Sequence, residues 1–184
     1  MGDFEASAPK ISSQMTMLAI YPPPEVLQYA RKFAQPDVIR NGLHMTLVRL
    51  GQVEDSDIER LKAVCSQTGA FLNPVELSVE GAGFFSAPDM FVHWLLINGA
   101  GLDIWRGVFL DHLDKAGLLP TQRYGYTPHM TLGYYPKAER LPDHFEDSGE
   151  FPTGKWLCES LYLVRGRGEK IPIPIGPQKT LFRW

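Results

Sequence analysis

The feature that most constrains this chain is a tetrapeptide spelled twice, His44-Met45-Thr46-Leu47 and His129-Met130-Thr131-Leu132, with the two histidines 85 positions apart. Each copy follows a turn signal, Asn41-Gly42 or Thr127-Pro128. Each then runs into β-favouring residues, Leu47-Val48-Arg49-Leu50 or Leu132-Gly133-Tyr134-Tyr135. Side chains on a strand alternate between its faces. His44 and Thr46 therefore share one face, with Met45 and Leu47 on the other; His129 and Thr131 stand in the same relation to Met130 and Leu132. Each copy predicts a strand with an apolar back for a core and a His/Thr front for chemistry.

Two imidazoles facing one another can serve as general base and general acid, because histidine titrates near neutral pH. Two hydroxyls one pleat further on can donate to phosphoryl oxygens as charge builds on them. A lone His-x-Thr on a strand ordinarily means a solvent-facing or structurally satisfied histidine. Here the two copies share secondary structure, preceding turn and the run of elements before them.

Those elements read as follows. Residues 1–13 read as a loose tail, and Met15–Tyr21 as a short apolar strand stopped by Pro22-Pro23-Pro24. A helix over Glu25–Phe33 places Val26, Tyr29, Ala30 and Phe33 on one face, and 36–42 is a loop into the first motif strand. Asp55-Ser56-Asp57 opens a second helix with the stripe Ile58, Leu61, Val64 and Cys65. Strands follow at Val75–Val79 and Met90–Ile97, joined through the glycine-rich Gly81–Asp89. A helix over Leu102–Ala116 ends at Gly117. After the second motif strand, Trp156–Val164 is one more strand. Strand, helix, motif strand thus occurs twice, as a duplicated lobe would show. The Ile/Pro alternation from Ile171 to Ile175 fits an edge strand, a packed tail or a flap over one rim.

At 184 residues with 44% apolar and 21% charged residues, the chain suits one soluble domain with a proper core, spanning 1–184. A net charge of −3 argues against a dedicated binder of long nucleic acids, which would carry a basic excess. Two cysteines, Cys65 and Cys158, make no metal or redox pattern and read as buried thiols in a reducing compartment. Neither a signal peptide nor an apolar run of membrane-spanning length is present, so the reading is cytoplasmic. Two histidines with threonine partners make a poor metal site, and metal-independence is expected. His93, His112 and His144 lack any repeated context.

The two H-x-T-L motifs resemble those of the 2H phosphoesterase superfamily, which includes the 2′-5′ RNA ligase-like proteins and the cyclic phosphodiesterases. The resemblance runs from about Met15 to about Arg165. It implies an α+β, bilobal fold with two pseudo-symmetric antiparallel sheets, helices on the outside and a central cleft between the motifs. It also implies opening of 2′,3′-cyclic phosphates or related phosphodiesters without metal or other cofactor. On that pattern His44, Thr46, His129 and Thr131 are the catalytic set.

Arg49 is read on the same strand face as His44 and Thr46, where its guanidinium suits a phosphate. Its opposite number in the second copy is read as Gly133, which leaves room. Arg165, Arg167 and Arg123 are further cationic candidates. Phe85 sits where related proteins carry an aromatic, and Tyr126 and Tyr135 flank the second motif, so these three are read as surfaces for a base. The partner expected is a small nucleotide, a cyclic oligonucleotide or a short RNA end, met by a monomer. The tri-proline helix and short linker also look like 2H proteins of bacteriophages, some of which degrade cyclic nucleotide signals of bacterial immunity. RNA ligation and a non-catalytic nucleotide-binding module are the other readings. Two titrating groups exceed what binding alone needs, and the mild acidity disfavours a tRNA-sized partner.

Overall fold

In the computed structural model, described over residues 15–118, 125–137, 154–166 and 168–177, eight strands make one antiparallel order with helices on its back. The elements are β1 (Met15–Ile20), α1 (Pro24–Arg31), α2 (Pro36–Asn41), β2 (Met45–Gln52), a 3-10 turn (Asp55–Asp57) and α3 (Ile58–Phe71). They continue with β3 (Val75–Ser86), β4 (Met90–Asn98), α4 (Leu102–Lys115), β5 (His129–Pro136), β6 (Trp156–Cys158), β7 (Ser160–Arg165) and β8 (Glu169–Pro174). The sheet order is β6-β3-β4-β5-β2-β1-β7-β8. The motif strands β5 and β2 are innermost, and a single residue pair, Met45 with Met130, joins them. The two expected sheets are thus the four-stranded halves of one order, hinged where the repeated methionines meet.

The two halves are built alike. β1 leads through helices to β2 and pairs with it, and β4 leads through α4 to β5 and pairs with it. The apolar back of each motif enters the core: Met45, Leu47, Met130 and Leu132 are all essentially buried. They pack in one cluster with Leu61 and Cys65 of α3 and with Trp105, Phe109 and Leu113 of α4. Each such side chain withdrawn from water contributes about 1.5–3 kcal/mol. Both cysteines are buried and unpaired, with burial pushing the Cys65 thiol up to about 12 and that of Cys158 up to about 11. Among the described residues no helix is long and apolar enough to cross a membrane.

Three elements differ from the sequence expectation. Residues 36–41 are a helix rather than a loop: Pro36 starts α2 with its φ already helical, and Gly42 at φ 85 ends it. β3 continues through the glycine-rich run to Ser86. Its glycines do not turn the chain; a Cβ on Gly83 would sit 2.7 Å from the Trp94 ring, so the missing side chain lets that ring lie on the strand. The predicted strand over Trp156–Val164 is broken at Glu159, and its pieces go to different halves, β6 beside β3 and β7 beside β1. The Ile/Pro segment is the edge strand β8, paired to β7. Pro172 and Pro174 share one parity, so both missing donors fall on the same side of that edge. The tail expected over 1–13 lies outside the described residues.

Candidate active site

Both motif strands carry the same irregularity at the same letter. Along β1, Leu18 pairs with Val48 but Ala19 pairs with Thr46, leaving Leu47 as an extra residue in β2. Along β4, His93 pairs with Gly133 but Trp94 pairs with Thr131, leaving Leu132 extra in β5. A bulge of this kind shifts the alternation by one. Leu47 and Val48 are therefore both buried, as are Leu132 and Gly133, and the phase beyond them is reversed. Strict alternation would put Arg49 on the back; the bulge returns it to the face of His44 and Thr46. It does the same for Tyr134, which lies five residues after His129 as Arg49 does after His44. Gly133 corresponds to Val48, so the opposite number of Arg49 is Tyr134, not Gly133.

The histidines are held identically. His44 Nδ1 lies 2.6 Å from the Gly42 carbonyl oxygen and His129 Nδ1 lies 2.7 Å from that of Thr127, each two residues upstream. A carbonyl only accepts, so Nδ1 carries the proton and donates it, and each Nε2 is left as the basic atom of the neutral ring. Burial lowers both pKa values from the ordinary 6.5, against the pull of those carbonyls towards the charged form. Lys170, His129 and Arg49 press His44 further down, and Arg49 does so for His129. Both rings therefore favour the neutral state in the free protein.

Around them the two halves differ. Beside His44, the Tyr21 ring lies 5.9 Å away, braced edge-on by Tyr162 at 5.3 Å, with Lys170 Nζ 3.9 Å from the Tyr21 centroid. Beside His129, the Phe85 ring stands edge-to-face at 4.8 Å and leans on Trp94 at 5.0 Å. Thr46 Oγ1 donates to Met17 Sδ at 3.6 Å, a weak acceptor that a phosphoryl oxygen would outcompete. The Thr131 hydroxyl faces the Tyr134 phenol; burial raises the phenol's pKa against the lowering pull of Thr131 and Arg49, so it stays neutral. Among the described residues no group of three or more His, Cys, Asp or Glu side chains is placed to hold a metal ion.

A model of the 2′-5′ RNA ligase superfamily matches residues 20–170, both motifs included. The chain belongs to that superfamily, the 2H phosphoesterases. It is 31% identical over 105 residues to an RNA 2′,3′-cyclic phosphodiesterase of Methanothermobacter thermautotrophicus, a match over 55% of this chain and 53% of that protein. The chain thus spans about half the length of the curated relative it matches. Among solved structures, a protein of Thermus thermophilus superposes with a TM-score of 0.63 at 18% identity, covering 86% of this chain and 97% of the other. LigT of Escherichia coli superposes at 0.57 and 20% identity, covering 89% and 98%. LigT has also been solved with 3′-AMP, with ATP and with phosphate. At these identities the structures share the fold, the bilobal α+β arrangement described above.

On this 2H scaffold, His44, Thr46, Arg49, His129, Thr131 and Phe85 come together on one face. Tyr135 does not: it lies on the opposite face of β5 with Phe84 and His93, each 6.4 Å away. Its neighbour Tyr134 takes the inner position because the bulge reverses the phase. Arg165, opposite Glu169, leaves the sheet on the other face and pairs with Asp55 at the 3-10 turn, and Lys170 is the cation that β8 brings to the histidine face. Tyr126 packs on the main core beneath Arg106 of α4, 4.6 Å from its ring. Arg123, His144 and Arg167 lie outside the described residues. Sequence reasoning missed Tyr134 and Lys170. Counting five residues from each histidine would have found the tyrosine, whereas nothing local marks the lysine.

Proposed function

We propose that this chain is a phosphodiesterase that opens 2′,3′-cyclic phosphates of nucleotides or RNA ends by paired-histidine acid/base chemistry. The observation that carries the reading is the twin anchoring of Nδ1 at 2.6 and 2.7 Å, which leaves two Nε2 atoms as interchangeable proton carriers on one face. Supporting the substrate class are the superfamily, the name of the Methanothermobacter relative and the nucleotide complexes of LigT.

In this mechanism one Nε2 takes a proton from water as its oxygen attacks phosphorus. The other gives a proton to the ribose oxygen as the P–O bond of the cyclic ester breaks. Thr46 and Thr131 donate to the non-bridging oxygens, and Arg49 and Lys170 offset the charge that builds there. Phe85 and Tyr21 supply the apolar borders against which a base packs. The two histidines must hold opposite protonation states, which gives a bell-shaped pH profile. The free protein resists charging either ring; the incoming phosphate anion supplies the negative charge that lets one of them become the acid.

The test is hydrolysis, with EDTA present, of 2′,3′-cyclic mononucleotides, cyclic di- and trinucleotides and a short 2′-5′-linked oligoadenylate. His44→Ala and His129→Ala are each expected to lose about 10²- to 10⁴-fold in kcat. A preference for cyclic oligonucleotides would move the chain to the anti-defence role that the resemblance to phage proteins raises. Tight nucleotide binding with no turnover on any substrate would overturn the enzyme reading.

A further inference from the structure

Beyond the single Met45–Met130 pair, β2 and β5 part, and the inner edge of β5 loses its strand partner. That edge is not left open. The Gln35 backbone N–H donates to the Leu132 carbonyl at 2.8 Å. Its side-chain amide then brackets the next exposed residue, Tyr134: Nε2 donates to the Tyr134 carbonyl at 3.0 Å, and Oε1 accepts from the Tyr134 N–H at 2.9 Å. One glutamine thus imitates a strand residue. The fit is tight, since a Cβ on Gly133 would meet Gln35 Cδ at 3.0 Å and Cγ at 3.1 Å.

Gln35 belongs to the connection between β1 and β2, the half that carries His44. Tyr134 belongs to the half that carries His129, and its phenol engages Thr131. We propose that Gln35 is a positioning residue for the reaction, a clamp between the lobes that fixes the His129–Thr131–Tyr134 face against the His44–Thr46 face. The inference rests on the paired-histidine reading, because only a reaction needing both lobes at once is sensitive to their registration. Gln35 reaches no substrate in this role; it acts through the backbone of Tyr134. A rigid hydrogen-bonded lock suits that task, since misplacing reacting groups by about 1 Å costs on the order of 10²-fold in rate.

The experiment compares Gln35→Ala and the near-isosteric Gln35→Glu with the wild type. Its readouts are kcat and KM on the preferred cyclic phosphate, Tyr134 amide exchange by NMR, and thermal stability. In Gln35→Ala, kcat is expected to fall about 10- to 100-fold with KM within about threefold, and the Tyr134 amide to exchange about tenfold faster. Gln35→Glu is expected to do no better, because its carboxylate accepts from the Tyr134 N–H but faces the Tyr134 carbonyl with no donor. Recovery of kcat in Gln35→Glu would reduce Gln35 to a space-filler and overturn the proposal. So would faster Tyr134 exchange with kcat within about twofold of wild type, or unchanged exchange. If the wild type turns over nothing, the parent reading fails separately. The clamp is then judged on Tyr134 exchange and on whether Gln35→Ala shifts the His129 titration followed by NMR.

Discussion

Gly133→Ala is the perturbation whose cost the structure defines best. Gly133 has no left-handed backbone, so the substitution is a question of space alone. The added Cβ would lie 2.9 Å from Tyr135 Cε2, 3.0 Å from Gln35 Cδ and 3.1 Å from Gln35 Cγ. Two of these three contacts are to the glutamine that brackets Tyr134, so relief comes by pushing Gln35 off its two side-chain hydrogen bonds. Overpacking of this size costs about 1–3 kcal/mol. Gln35→Ala forfeits the same two bonds directly, at about 0.5–1.5 kcal/mol each. The double variant removes the glutamine atoms that the new methyl group would strike and has no clamp left to lose. Its destabilisation should therefore match the larger single effect, about 1–3 kcal/mol, rather than the sum. The assay is urea unfolding of wild type, both single variants and the double variant as a mutant cycle. Additivity within about 0.5 kcal/mol would refute the argument that Gly133 is kept small for Gln35.

Three further outcomes are expected. Both site histidines are held below 6.5, so the unfolded chain binds more protons than the folded one just below that pH. Stability should fall as pH drops from about 7.5 through 6, and inorganic phosphate should raise both histidine titrations in an NMR series. Arg49→Ala removes a cation that presses on both rings, so both should titrate at higher pH, with the NMR midpoints as readout. Tyr134→Phe should lower kcat about tenfold by freeing Thr131 from its partner, while Tyr135→Phe, on the other face, should leave activity within about twofold; the reverse order would place the bulge wrongly.

The duplicated tetrapeptide made much of this readable. Its period-two pattern pointed to the buried Met45, Leu47, Met130 and Leu132 and to the shared face of His and Thr, because alternation is a local property of any strand. Elements with their own start and stop chemistry, such as α3 after Asp55-Ser56-Asp57, were also legible. What stayed hidden depends on neighbours. The bulges at Leu47 and Leu132 are defined only against β1 and β4, and without them Tyr135 and Tyr134 exchange places. The glycine-rich run reads as a connection between strands until Trp94 is known to lie across Gly83. Arg165 and Lys170 stand five residues apart on a paired hairpin. The register decides between them: Lys170 stands opposite Val164 and Arg165 opposite Glu169, so the two leave the sheet on opposite faces.

The break at Glu159 has a bearing on how the molecule comes to be folded. The half containing His129 takes its last strand, β6, from residues 156–158, and the half containing His44 waits for β7 and β8 from residues 160–174. The half containing His129, β3 to β6, is one run of consecutive strands set inside the other, whose β1 and β2 precede it and whose β7 and β8 follow it. β1 holds Thr16 opposite Arg165, so a strand from near one end of the chain is completed by one from near the other. Pairings of such long sequence separation slow folding, because loop closure must precede the contacts that reward it. During synthesis, β1 is made before the whole of the other lobe, and the edge that pairs with β7 stays unsatisfied until β7 arrives. β7 and β8, made after every strand of the other lobe, therefore complete the lobe that β1 and β2 began.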